Sequence, residues 1–193
     1  EEIHRRGMKC IIDVVYNHTS PDATLVTEHP EYFYTRADGT RGNKVGDWTD
    51  VVDLDYENRA LWQYQIETLC YWAQFIDGFR CDVASTVPVE FWGEARRAVE
   101  AVRPGAVWLG ESVHLAHIQA FRSLGHYAAT DTELFTAFDI LYPYDLWPLY
   151  EGVTEGEMVT AFNDWCFDPE RQVGDTGLVK TNYGYHVMYY SGS

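Results

Sequence analysis

Gly78-Phe79-Arg80-Cys81-Asp82-Val83-Ala84 is a short apolar run with an acid near its end, and Leu109-Gly110-Glu111-Ser112 is another. Asp82 and Glu111 lie 29 residues apart, with an amphipathic, helix-like segment between them that stops at Pro104-Gly105. A strand–helix–strand unit takes about 30 residues. The spacing therefore predicts two neighbouring parallel strands that carry their acids at equivalent ends. Working outward, Cys10-Ile11-Ile12-Asp13-Val14-Val15-Tyr16 is a β-branched run of the kind found in strands buried on both faces. Residues 57–75 place Leu61, Tyr64, Ile66, Leu69 and Trp72 at helical spacing. A third strand is expected at 106–110, a short helix at 118–124 and a fourth strand at 137–142.

Strands that alternate with helices specify a parallel sheet with right-handed crossovers. The order fits a (β/α)8 barrel or a doubly wound sheet. Acids at the ends of successive strands favour the barrel, whose active sites lie on that face. A dinucleotide-binding sheet would need a GxGxxG turn, which is absent. The expected fold class is α/β, a partial (β/α)8 barrel of about four strands over 1–152 followed by a short β-rich tail. A whole barrel takes about 250 residues, so the first two strands are expected upstream and the chain is expected to be a fragment. Unpaired strand edges would make such a fragment marginal. The irregular stretch 22–56 is an inserted loop, and loops of this length are usually functional.

The 193 residues carry a net charge of −16, which argues against nucleic acid as a partner, since its phosphates would be repelled, and against a basic membrane contact. A neutral polymer such as an α-glucan is compatible. Seven Trp and 14 Tyr suit stacking on sugar rings and core filling alike. Four cysteines without CxxC spacing read as reduced core residues, which favours a cytoplasmic location. No apolar run is long enough to span a membrane. The first residues, Glu1-Glu2-Ile3-His4-Arg5-Arg6, read as the end of a helix rather than a protein start.

An Asp and a Glu on one rim suit retaining glycoside hydrolysis, which uses a nucleophile and an acid/base about 5 Å apart. Arg80 precedes Asp82 by two residues, so both side chains point the same way and the guanidinium favours the carboxylate form. A structural ion pair would look the same. Asp13-Val14-Val15-Tyr16-Asn17-His18, Val52-Asp53-Leu54-Asp55, the run 78–84 and Gly110-Glu111-Ser112-Val113 resemble, in order, four conserved stretches of the α-amylase family, glycoside hydrolase family 13. The resemblance covers residues 1 to about 150.

The resemblance implies a retaining glycoside hydrolase that acts on α-glucosidic bonds of starch-like glucans or maltooligosaccharides. It implies Asp82 as nucleophile and Glu111 as acid/base, whose pKa a crowded rim would raise. Asp13, His18 and Arg80 match substrate-binding positions, with Asp13 expected to make a buried hydrogen bond. His114 and Tyr16 are open to either a sugar contact or packing. Asn17 and Asp53 match positions that bind calcium in many relatives, although no cofactor is required. The family's Lys-His pair after the nucleophile is Ser85-Thr86 here, which puts both calcium and a sugar contact in doubt. The His-Asp stretch that should supply a third carboxylate is absent; Asp139 and Asp145 are acids without the preceding His.

Residues 153–193 resemble the end of a parvulin-type peptidyl-prolyl isomerase, with His186 at an active-site position but without the rest of that site. The junction is expected near Gly152 to Gly156. The alternative to an incomplete hydrolase is therefore a non-catalytic fusion or folding module with a parvulin-like remnant.

Overall fold

The apolar runs pair as a parallel sheet, and the stretches of helical periodicity lie between them. The computed structural model describes residues 1–45, 48–142, 144, 160–181 and 184–190. In chain order the elements are α1 (Glu2–Arg5), β1 (Ile11–Val15), β2 (His18–Thr19), α2 (Thr24–Glu28), β3 (Val52–Asp53), α3 (Arg59–Ala73), β4 (Gly78–Asp82) and α4 (Val89–Val102). They continue as β5 (Val107–Gly110), α5 (Leu115–Ser123), α6 (Asp131–Leu134), β6 (Ile140–Leu141), α7 (Thr160–Cys166), β7 (Thr176–Thr181) and β8 (Gly184–Tyr189). The chain divides into two units, 1–144 and 145–193. The expected junction near Gly152 to Gly156 lies outside the described residues.

In the first unit β1, β4, β5 and β6 lie side by side in that order, all parallel. The fold class is α/β. α3 starts where the Asn58 side chain accepts the Ala60 N–H, which satisfies one orphan donor of the first turn. Gly78 belongs where it stands because a Cβ there would sit 2.3 Å from the Val107 carbonyl oxygen, and β4 could not approach β5.

The ladder sorts side chains by parity. Val14, Phe79, Cys81 and Trp108 face Leu69 and Ala73 of α3 and Phe91, Trp92, Ala95 and Val99 of α4, and all are buried. Each large side chain buried this way contributes about 1.5–3 kcal/mol. The opposite face is bare among the described residues: Ile11, Val15 and Ile140 are 43%, 44% and 50% exposed. This corrects the expectation that β1 is covered on both faces, since only Val14 of its five residues is buried. Its β-branched composition suits two-sided burial, but helices pack on one side only.

The fourth strand is also shorter than expected. Thr130 and Glu133 form a reciprocal capping box that starts α6, so the chain is helical or turning until Ile140. Ala137 and Phe138 enter the core from that turn rather than from a strand.

The second unit holds α7 and an antiparallel hairpin in which Leu178 pairs with Val187 and Val179 with His186. Phe162 and Val179 are buried, whereas Val187 is 83% exposed.

At the end of the sheet where β4 begins, the buried Asp77 carboxylate accepts the Cys10 N–H at 2.9 Å, lies 2.7 Å from Nε2 of His4, and is paired with Arg103 and Lys9. It fastens α1, the start of β1 and the end of α4 to one point. The Cys10 N–H, followed by His4, Arg103 and Lys9, outweighs burial and holds this carboxyl well below the usual carboxylate range. A depressed folded value means stability that is present above the unfolded value, about 3.9, and lost as pH falls through the acid range. Asp77→Asn is expected to lower the melting temperature at neutral pH by roughly 3–8 °C. In thermal melts from neutral to acid pH the gap to wild type should close as pH falls below about 4; a constant gap would show that the charge is not what stabilises.

Candidate active site

Register brings the acids together. Val15 stands opposite Asp82, Asp13 opposite Arg80, and Cys81 opposite Gly110, so Glu111 follows directly at the end of β5. Asp13, Arg80 and Asp82 share the bare face of the sheet. Their common partner is the Arg80 guanidinium. Its Nη1 donates to Asp82 Oδ1 at 2.5 Å and to the two Asp13 oxygens at 3.0 and 3.1 Å, and its Nη2 reaches Glu111 Oε2 at 2.8 Å. One cation thus spans three carboxylates on three strands. Asp13 is 58% exposed at its side chain and makes an ion pair, not the expected buried hydrogen bond to loops. Its position on the uncovered face is the reason.

Glu111 is fixed by two further donors. The Tyr144 hydroxyl donates to Oε1 at 2.7 Å and the Val83 N–H to Oε2 at 3.1 Å. Val83 is able to point its N–H there because its backbone is left-handed, at φ 43° and ψ 42°; among the described residues it is the one non-glycine with positive φ. Such a conformation is rare for a β-branched residue.

The carboxyls of Asp82 and Glu111 lie within hydrogen-bonding reach and titrate as a pair. Burial, with Glu111 alongside, pushes Asp82 up despite Arg80. Burial also acts to raise Glu111, but the Tyr144 hydroxyl, the Val83 N–H, Asp82 and Arg80 together hold it below its usual value. The expectation of a raised Glu111 is therefore reversed in direction. Three donors converge on it: the Arg80 guanidinium, the Tyr144 hydroxyl and the Val83 N–H.

Beside Glu111 opens a cleft of about 280 Å³, walled by Trp48, Val83, His114, Phe121 and Tyr144 among others. His114 packs at 5.5 Å from the Tyr144 ring. Trp48 and Tyr144 carry no signal in the sequence, because neither sits in a motif and the cleft forms only where distant loops meet. His18 is half-buried on β2, edge-on to Trp48 at 5.4 Å. Tyr16 stacks on Trp92 and donates to the Gln65 carbonyl, which places it in packing on the helix-covered face. Asp139 accepts from Arg96 of α4 and from the Trp108 N–H, ahead of β6, so it lies toward the helix side and away from the rim. Asp145 is outside the described residues. His186, in the second unit, lies 2.9 Å from the Thr181 hydroxyl and edge-on to Phe162.

The residues matched to calcium positions leave few oxygens free for an ion. The Asn17 side-chain oxygen is 2.7 Å from the Thr86 hydroxyl, and its backbone oxygen takes the Leu54 N–H. Asp53 Oδ2 takes the Lys44 N–H at 2.7 Å, and only its buried Oδ1 lacks a hydrogen-bond partner. Calcium takes six to eight oxygens. Among the described residues no group of three or more His, Cys, Asp or Glu is placed to hold a metal.

No family model matches the chain. The crystal structure of an alpha-amylase from Lactobacillus plantarum is 55% identical and superposes with a TM-score of 0.75, covering 77% of this chain and 35% of that one. The structure of the maltogenic alpha-amylase AmyB from Thermotoga neapolitana is 36% identical with a TM-score of 0.62, over 76% of this chain and 31% of its own. Among curated proteins, the alpha-amylase MalA of Haloarcula japonica is 31% identical over 102 residues, 49% of this chain and 15% of that protein. The chain thus spans about a third or less of the length of these relatives.

Because a hydrogen bond to the charged form lowers a carboxyl pKa, Tyr144→Phe is expected to move the Glu111 titration to higher pH. Carboxyl carbon-13 NMR titration of the variant and wild type reads this directly. An unmoved Glu111 curve would show that the phenol does not hold the charge.

Proposed function

On the premise that this chain belongs to the α-amylase family, we propose that the rim of β1, β4 and β5 hydrolyses α-glucosidic bonds with retention of configuration. The observation that carries the reading is the Arg80 guanidinium, which holds Asp13, Asp82 and Glu111 at the ends of adjacent parallel strands. In the first step the Asp82 carboxylate attacks the anomeric carbon while Glu111 gives its proton to the departing glycosidic oxygen, so that one C–O bond forms as the other breaks. In the second step Glu111 takes a proton from water, whose oxygen attacks the same carbon and frees Asp82. The Arg80 hydrogen bond favours the ionised form of Asp82, both as attacking carboxylate and as leaving group.

A sugar that seats its glycosidic oxygen against Glu111 supplies an acceptor for the acid form of that residue, which the first step requires, while Asp82 attacks as the carboxylate.

The substrate class is an α-glucan or maltooligosaccharide. The aromatic walls at Trp48 and Tyr144 support it, since sugar rings carry apolar faces, as does a solved pullulanase from Paenibacillus barengoltzii complexed with maltotetraose, 30% identical over 57% of this chain. A net charge of −16 supports a partner that is neither nucleic acid nor an anionic membrane surface; among the described residues no helix is long and apolar enough to cross a membrane. Four free cysteines support a reducing, cytoplasmic setting. The bare sheet face supports reading the first unit as part of a (β/α)8 barrel, with Ile11, Val15 and Ile140 turned toward its interior. Asp139 does not supply a third carboxylate at the rim, because it pairs with Arg96 and the Trp108 N–H on the helix side. The hairpin of the second unit, with His186 against Thr181, is what a parvulin-like remnant would keep.

The test is covalent trapping. A fluorinated α-glucosyl fluoride should leave a glycosyl adduct on the peptide that contains Asp82, read by mass spectrometry. Asp82→Asn should leave no adduct and no turnover of maltooligosaccharides. Glu111→Gln should slow turnover of natural substrates by about 10²–10⁴-fold. Turnover by the 193-residue chain is expected to fall far below that of a full-length relative, since positioning alone accounts for several kcal/mol. An adduct on another residue, or full activity in either variant, would overturn the assignment.

A further inference from the structure

Ser85-Thr86 follows the nucleophile turn, and each hydroxyl is committed. Ser85 Oγ accepts the Val113 N–H at 3.1 Å, from the loop after Glu111. Thr86 Oγ1 lies 2.7 Å from Asn17 Oδ1, just after β1, and 2.9 Å from the Val83 carbonyl. Asn17 is itself a junction. It is 7% exposed, its amide nitrogen lies 3.2 Å from His18 Nδ1, and its backbone oxygen receives the Leu54 N–H from the far end of the long loop. The pair therefore joins three parts of the first unit: the end of β1, the turn carrying Val83 and the closing stretch of the 22–56 loop.

That joint is where calcium was expected from Asn17 and Asp53, and the donor set there is already used. Of the side-chain oxygens on those two residues, only Asp53 Oδ1 lacks a hydrogen bond. Asp53 Oδ2 already accepts the Lys44 backbone N–H at 2.7 Å. We propose that the Thr86–Asn17 hydrogen bond does the work of a cation here, tying the nucleophile turn to the end of β1 so that the first unit folds independently of divalent metal. The inference concerns stability and stands apart from the glucan reading: it holds or fails whether or not the chain turns over sugar.

Scanning calorimetry of the full 193-residue chain tests it, with and without millimolar chelator or calcium chloride. The wild-type melting temperature should not move in either condition, because a ligand that bound only the native state would raise it. Thr86→Val keeps the shape and removes the hydroxyl, leaving the Asn17 amide short of a partner; its melting temperature should drop by roughly 3–8 °C. Thr86→Ser keeps the hydroxyl and should melt within about 2 °C of wild type. This second variant guards against a Thr86→Val that fails to fold. A fall with chelator, a rise with calcium, a Thr86→Val that melts like wild type, or a Thr86→Ser that falls as far as Thr86→Val would each overturn the proposal.

Discussion

The Arg80 guanidinium is the constraint around which this site is built. Three carboxylates that converge on a partly buried rim would repel one another, and without a cation at least two of them would protonate or move apart. A planar fork with several N–H donors resolves this, because it can face more than one acid at once. A lysine ammonium would place a compact charge but not span the same arc. The parallel ladder does the rest. It brings Asp13 beside Arg80, and because β4 and β5 end level with one another, Glu111 arrives within reach of the same cation. The helix-covered face is a conventional aromatic and aliphatic core; the chemistry sits on the face those helices do not touch.

Much of this was legible in the sequence, for a physical reason. A spacing of about 30 residues between acid-tipped apolar runs leaves little choice of topology, and α3 and α4 follow directly from helical periodicity. Asp82, Glu111, Arg80 and Asp13 do meet on one rim. The difficulties came where burial depends on neighbours. Composition alone cannot reveal that, among the described residues, β1 has helices on one side only; its β-branched run suits cover on both. The Thr130 and Glu133 capping box was readable and would have moved the fourth strand back to Ile140, and Asp139 with it, toward Arg96. Tyr144 and Trp48 belong to no pattern, and their place at Glu111 follows only from three-dimensional closure.

Proton placement was the least legible feature. A crowded rim suggests a raised acid/base, and burial does act in that direction at Glu111. The opposing donors are a phenol 33 residues away and a backbone N–H 28 residues away. Such long-range partners are invisible to local reasoning, and they invert the outcome. The same is true of Ser85-Thr86. As a departure from the family pattern the dipeptide reads as a loss. In the fold its two hydroxyls reach toward loops on either side of the nucleophile strand.

Val83 carries a consequence for precision. Sterics disfavour the left-handed region for a valine, so the peptide that links it to Asp82 is held in place by its surroundings: the Val83 N–H on Glu111, the Ala84 N–H on the Glu111 carbonyl and the Thr86 N–H on the Val83 carbonyl. Glycine would sit there with less strain, of order 1–3 kcal/mol, but it would also wander, and its N–H would sweep an arc past Glu111 instead of pointing at it. The chain thus trades a more comfortable backbone for a fixed aim, at the one peptide whose direction couples the two acids.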